Sequence, residues 1–184
     1  MKKVFIIHGF EGMPNGAWRG WLMQELEKQD IYACALPMPT PEAPIKQEWV
    51  DEISRAIEMN PTDDIYLVGH SLGSTAILRY LETSDQKITG IVLVSGPIIK
   101  TMNRKIDNFL ETPFDFETIK TKAEKFVVIH GDNDPYVPAV DHGDICSKAL
   151  DAQYIVIKNG EHLNGSAGYH VLPECLEVLN SIMK

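Results

Sequence analysis

Cysteine is scarce in this sequence and irregularly spaced. The 184 residues contain three, Cys34, Cys146 and Cys175, an odd number with no C-x-x-C pair. That pattern excludes a disulfide framework and offers zinc no thiolate pair. Three reduced thiols in the cytoplasm are the expectation. Long apolar runs are also missing. Nothing approaches the roughly 20 apolar residues of a membrane-spanning helix, and Val4–Ile7 is too short for the core of a signal peptide. Positive charge is in deficit, with 17 Lys and Arg against 26 Asp and Glu and a formal net charge of −9. Without a basic run, nucleic acid and anionic membranes are excluded as partners. Neither G-x-G-x-x-G nor G-x-x-x-x-G-K-[ST] follows an apolar run, so no nucleotide is expected. Asp132, Asp134, Asp141, His142 and Asp144 form an acidic cluster whose spacing fits neither an EF-hand nor a zincin helix. No metal and no cofactor are expected. There is no repeat, no low-complexity tract and no linker, which leaves a single domain over residues 1–184.

What is present is an alternation of short apolar runs with longer stretches of helical period. Val4–Ile7, Ile31–Leu36, Ile65–Val68, Ile88–Val94, Phe126–Ile129 and Gln153–Ile157 read as strands. Several are apolar throughout, as strands are when helices cover both faces of a parallel sheet. Trp49, Val50, Ile53, Ala56 and Ile57 recur at helical spacing. Leu172, Leu176, Leu179 and Ile182 do so near the C-terminus, with Pro173 placed for a first turn. Pro37, Pro39, Pro41 and Pro44 deny residues 37–44 a place in the sheet interior. The expected class is α/β, with roughly six parallel strands and helices on both faces.

Chemistry enters at Gly69-His70-Ser71-Leu72-Gly73, which joins the run Ile65–Val68 to a helical stretch. This is the G-x-S-x-G pattern of a nucleophile elbow. A sharp turn presents the serine, and side chains at Gly69 and Gly73 would strike neighbouring backbone. Small residues Ser74, Thr75 and Ala76 let the helix start close to the strand. Its N-terminus then favours negative charge at the serine. A serine hydroxyl needs a base, and the base needs an acid to fix its tautomer. In folds with this elbow the chain order is Ser, Asp or Glu, then His, on loops after strands. Two later strands open into such loops. One is His130-Gly131-Asp132-Asn133-Asp134-Pro135, with two candidate acids, and the other is Gly160-Glu161-His162-Leu163.

Taken with His8-Gly9-Phe10, the Trp18 and Trp21 helix and Met38-Pro39, these motifs mark a resemblance over nearly the whole chain. The sequence resembles the small α/β-hydrolases of the retinoblastoma-binding-protein-9 and YdeN-like family. That resemblance implies a reduced α/β-hydrolase fold without a large cap. It places the acid at Asp134, just before Pro135, and the base at His162. Asp132 then reads as a turn residue binding local amides. His70 points away when Ser71 is presented, His130 ends a strand, and His142 and His170 read as surface or packing residues. His8 is expected either to brace the loop below the oxyanion site or to be a simple core histidine.

An oxyanion is expected to meet the backbone amides of Leu72 and Phe10. Glu11 departs from the neutral loops expected there, since a carboxylate facing the oxyanion weakens catalysis. Only a loop and one or two short helices fit between Pro97 and Lys125, so the site should be open and shallow. Phe10, Trp18, Met102, Phe109, Phe114 and Phe116 are the candidates to line it, with a core position as the favoured alternative for each. The function implied is a serine esterase of small substrates. A thioesterase or amidase with the same triad, and a protein-binding scaffold that keeps the fold, are the alternatives.

Overall fold

Every apolar run named above becomes a strand in the computed structural model, which describes residues 1–62 and 64–184. The strands are β1 (Lys3–Ile7), β2 (Tyr32–Leu36), β3 (Ile65–His70), β4 (Ile88–Val94), β5 (Ala123–Gly131) and β6 (Gln153–Ile157). They form one sheet in the order β2-β1-β3-β4-β5-β6, and every neighbouring pair is parallel. Two strands run longer than their apolar cores. β5 begins at Ala123 because its backbone still pairs with Ile88 and Gly90 of β4 there, although Glu124 and Lys125 are exposed. Ladder bonds need no apolar side chain. β3 continues through Gly69 and His70, which pair with Leu93 and Val94, so the sheet runs up to the residue before Ser71.

Side chains alternate strictly between two cores. Phe5, Ile7, Leu67, Ile91, Leu93 and Val128 face one side, and Val4, Ile6, Tyr66, Val68, Val92 and Val127 the other. The first core is closed by α2 (Lys46–Glu58), α3 (Leu72–Thr83), α4 (Phe116–Lys120) and α5 (Gly143–Ala149), the second by α1 (Trp18–Glu27) and α6 (Pro173–Ile182). Amphipathic period decides which face each helix buries. In α2 the buried residues are Trp49, Ile53, Ala56 and Ile57, the stripe a helix lays on a sheet. Removing one large member, as in Ile53→Ala, costs roughly 2–5 kcal/mol. α3 is buried from Leu72 to Leu81 and is the central helix of its layer.

The strand order fixes where a ligand can sit. The chain leaves β1 for one edge of the sheet and returns to start β3 on the other side of β1. The loops after β1 and β3 therefore diverge at their C-terminal ends, which opens a crevice. Between Pro97 and Lys125 the chain forms only a short 3-10 helix (Arg104–Phe109) and α4, so no large cap covers that crevice. Among the described residues no helix is long and apolar enough to cross a membrane.

Candidate active site

Ser71 alone turns the chain from β3 into α3, with φ 54° and ψ −122°. A non-glycine residue at positive φ costs about 1–3 kcal/mol and persists only when its surroundings enforce it. Here the Ser71 N–H donates to the Val94 carbonyl at 2.8 Å, and its own carbonyl accepts from the Ser74 N–H at 3.0 Å. The elbow glycines are required by close approach. A Cβ on Gly73 would lie 2.2 Å from the Ile7 carbonyl oxygen, and one on Gly69 would lie 2.5 Å from Ser74 Cα. Ser74 does more than stay small. Its hydroxyl donates to the Gly69 carbonyl at 2.8 Å and accepts from the Val94 N–H at 3.1 Å, tying β3, β4 and α3 together.

The loops after β5 and β6 bring Asp134 and His162 to this turn. His162 Nε2 lies 2.9 Å from Ser71 Oγ, and its Nδ1 lies 2.7 Å from Asp134 Oδ2. Asp134 Oδ1 accepts from the N–H groups of Tyr136 and Val137, each at 2.9 Å. Burial alone would push the Asp134 carboxyl up. Hydrogen bonds from His130, His162 and the Val137 amide outweigh burial and hold it well below the usual carboxylate range. An ionised Asp134 fixes the proton on His162 Nδ1, which leaves Nε2 as the acceptor facing the serine.

Residues flanking His162 are conformationally strained and heavily braced. Asn159, Glu161 and Leu163 all have positive φ, at 55°, 47° and 49°. Asp132 Oδ1 accepts from the Asn159 N–H at 2.7 Å and Asn133 Oδ1 from the Glu161 N–H at 2.8 Å. Asp132 thus accepts a backbone amide, but from the loop after β6, 27 residues along the chain, rather than from its own turn as expected. Trp18 Nε1 donates to the Leu163 carbonyl at 2.8 Å. His70 Nε2 donates to the carbonyl of His162 itself at 3.0 Å. His70 points away from Ser71 and holds the His162 backbone instead. Burial, then the neighbouring His162 and Arg19, push its imidazolium form well below the ordinary range, so the ring stays a neutral donor at Nε2.

His8 braces the loop after β1. Its Nδ1 donates to the Gly9 carbonyl at 2.8 Å, and its Nε2 accepts from the Met38 N–H at 3.3 Å. That loop reaches Ser71, since a Cβ on Gly9 would lie 2.9 Å from Ser71 Cβ. Glu11 N–H is taken by the Pro41 carbonyl and Gly12 N–H by the Gly9 carbonyl, at 2.8 and 3.0 Å. No such bond takes the N–H of Phe10 among the described residues. Leu72, first residue of α3, likewise has an N–H with no partner inside its helix. The Glu11 side chain is 59% exposed and stands 3.9 Å from Lys105 Nζ, so its carboxylate turns outward.

Two cavities flank Ser71 and His162. One, of about 290 Å³, is bounded by Gly12, Gly16, Arg19, His70 and Asn164. The other, of about 530 Å³, is bounded by Pro97, Met102, Ile106, Tyr136 and Val137. Phe10 borders both, and Met102 is 95% exposed at the mouth of the larger. Trp18 and Phe109 are instead fully buried in the two cores, and Phe114 and Phe116 pack beside α3. The aromatic type alone does not distinguish a lining position from a core one. His142 is buried where α5 begins, its Nδ1 accepting from the Ile98 N–H at 3.1 Å, while His170 is exposed. Among the described residues, no group of three or more His, Cys, Asp or Glu side chains could hold a metal ion.

A parallel sheet in this order, with a serine on the turn after β3 and a histidine and aspartate converging on it from later loops, defines an α/β-hydrolase fold. Residues 4–181 match the family model described as serine hydrolase, and the chain belongs to that family. It is 33% identical over 184 residues to the hydrolase YdeN of Bacillus subtilis (strain 168), covering 98% of this chain and 95% of YdeN. It is 24% identical to the serine hydrolase RBBP9 of Rattus norvegicus, covering 98% and 95%. The crystal structure of the ydeN gene product superposes with a TM-score of 0.93 over 99% of this chain and 98% of that one. Est1E of Butyrivibrio proteoclasticus, solved with ferulic acid, shares the fold at 16% identity and a TM-score of 0.79, over 100% and 88%.

Proposed function

We propose that this serine hydrolase cleaves small carboxylic esters through an acyl-enzyme, with Ser71 as nucleophile, His162 as general base and Asp134 as orienting acid. The observation that carries this reading is the relay of 2.9 Å and 2.7 Å from Ser71 Oγ through His162 to Asp134. His162 Nε2 takes the hydroxyl proton as Oγ attacks the ester carbonyl. The Phe10 and Leu72 amides receive the oxyanion, at the positive end of α3. As the tetrahedral adduct collapses, His162 returns the proton to the leaving alkoxide. Water then repeats the sequence on the acyl-serine and regenerates Ser71. Two adjoining cavities provide separate room for the acyl and alcohol portions. A cytoplasmic location belongs to the same reading, supported by the unpaired thiols of Cys34, Cys146 and Cys175.

The test is kcat/KM along a series of p-nitrophenyl esters from acetate to palmitate. An uncapped site of this size favours the short acyl groups. A strong preference for long chains would refute the small-ester reading.

A further inference from the structure

Arg19 is only 5% exposed, yet among the described residues it forms no ion pair. Its protein contacts are neutral. Nε and Nη2 donate to the Met13 carbonyl at 3.4 and 3.0 Å, and Nη1 to His70 Nδ1 at 3.5 Å. A guanidinium has five N–H groups, so each Nη atom keeps one in reserve. Burial lowers its pKa to about 10, which leaves it cationic at neutral pH. A buried charge without a counter-ion is expensive, and in a chain of net charge −9 acidic residues are plentiful. None has been placed beside this one.

Arg19 borders the 290 Å³ cavity that also reaches Ser71 and His162. The start of α1 opens onto the same space through Gly16 and Ala17. Ala17 gives that helix no side-chain cap, and its first turn holds no acidic residue. The guanidinium and the N-terminus of α1, where the Arg19 N–H is already taken by the Gly16 carbonyl at 3.3 Å, thus present positive charge to one side of Ser71. Glu11 also borders this cavity, but its carboxylate faces Lys105.

We propose that this cavity is a carboxylate subsite, in which Arg19 and the open start of α1 receive a carboxylate carried by the ester that Ser71 attacks. The proposal rests on the esterase reading above and narrows it to anionic substrates. A carboxylate there supplies the missing counter-ion and takes up the reserved N–H groups in charge-assisted bonds.

Three p-nitrophenyl-type esters test it. Mono-p-nitrophenyl glutarate carries the carboxylate on the acyl side, and 3-carboxy-4-nitrophenyl butyrate carries it on the leaving side. p-Nitrophenyl butyrate carries none. The wild type should favour one of the two anionic esters over the neutral one by at least about tenfold in kcat/KM, and which one identifies the side Arg19 serves. Arg19→Gln should erase the preference and Arg19→Lys should restore part of it. Equal kcat/KM for all three esters in the wild type, or a preference that survives in Arg19→Gln, overturns the subsite. Glutarate binding, followed by the imidazole NMR signals of His70, separates this proposal from the esterase reading. Saturable binding lost in Arg19→Gln supports the subsite even in a protein that cleaves no ester.

Discussion

Two arginines are buried equally deeply in this molecule, Arg19 and Arg79, each 5% exposed. Arg79 lies within α3 and is fully compensated. Its Nη1 pairs with Glu82 at 2.8 Å, its Nε donates to the Phe109 carbonyl at 2.8 Å, and its Cζ sits 3.7 Å from the Phe114 ring centroid. Arg19 has a carbonyl, an imidazole and, at 5.9 Å from Cζ, the Trp18 ring as neutral neighbours, and opens to the cavity beside Ser71. The charge and the burial are the same, but the surroundings differ. Arg79 closes a structural network, whereas Arg19 keeps bonding capacity for something the chain does not itself provide. That contrast extends to the ends of the sheet. His8, His70, His130, His162 and Asp134 are all buried at the C-terminal ends of strands or in the loops that follow. At the opposite end, ion pairs such as Lys122–Asp85 and Lys120–Asp151 set a half-buried lysine against an exposed aspartate. Pairs of that kind contribute little to stability.

Breaking the compensated and uncompensated networks in turn should separate activity from stability. Asp134→Asn should have the largest effect, lowering esterase kcat by about 10⁴-fold because the amide no longer fixes the proton on His162 Nδ1. A circular dichroism melt of this variant should stay close to wild type. Arg79→Met should do the reverse, removing roughly 1–3 kcal/mol of stability in urea unfolding by leaving the Phe109 and Thr112 carbonyls without their donor. Its ratio of kcat/KM values between anionic and neutral esters should not move.

Acid should weaken the C-terminal end of the sheet next. Burial lowers His142 from 6.5 to about 4, and burial also lowers His8 and His70. The unfolded chain protonates these rings near pH 6.5 while the fold resists, so stability is lost as pH falls from 6.5 toward 4. The His142 share is roughly 2–3 kcal/mol. Urea midpoints at pH 7 and pH 4.5 measure the loss, and His142→Gln should make the pH dependence shallower. A flat midpoint over that range would contradict the assignment of neutral buried rings. The smallest effect is expected of His70→Phe. Loss of its bond to the His162 carbonyl should let the 159–163 loop relax and lower kcat/KM about tenfold.

The sheet was legible in the sequence because its strands are apolar on both faces, as parallel strands between two helical layers are. Their ends were less so. Ladder pairing carries β5 back to Ala123 through two exposed charged residues, and hydropathy has no access to that. Ser71 stood out because turn chemistry marks its loop, and chain order marked the loops of the acid and the base. The choice of Asp134 over Asp132 came from the family resemblance. The brace around them did not stand out. His70 lies inside the elbow motif, yet its partner is 92 residues away in the chain, and only the fold brings the two together. Arg19 drew no notice in the sequence, because spacing shows neither its burial nor its missing counter-ion. The positive φ values around His162 fall on Asn159, Glu161 and Leu163 and not on Gly160 between them, so the glycine does not announce them. Tertiary bonds from Trp18, His70, Asp132 and Asn133 impose them.

The central claim is that Ser71 is an activated nucleophile, and covalent labelling tests it most directly. Wild type, Ser71→Ala and His162→Ala would be treated with a fluorophosphonate and their intact masses followed over time. The account predicts one adduct on the wild type, none on Ser71→Ala, and labelling slowed by several orders of magnitude in His162→Ala. A folded wild type that takes up no adduct, or an adduct that persists in Ser71→Ala, would contradict it.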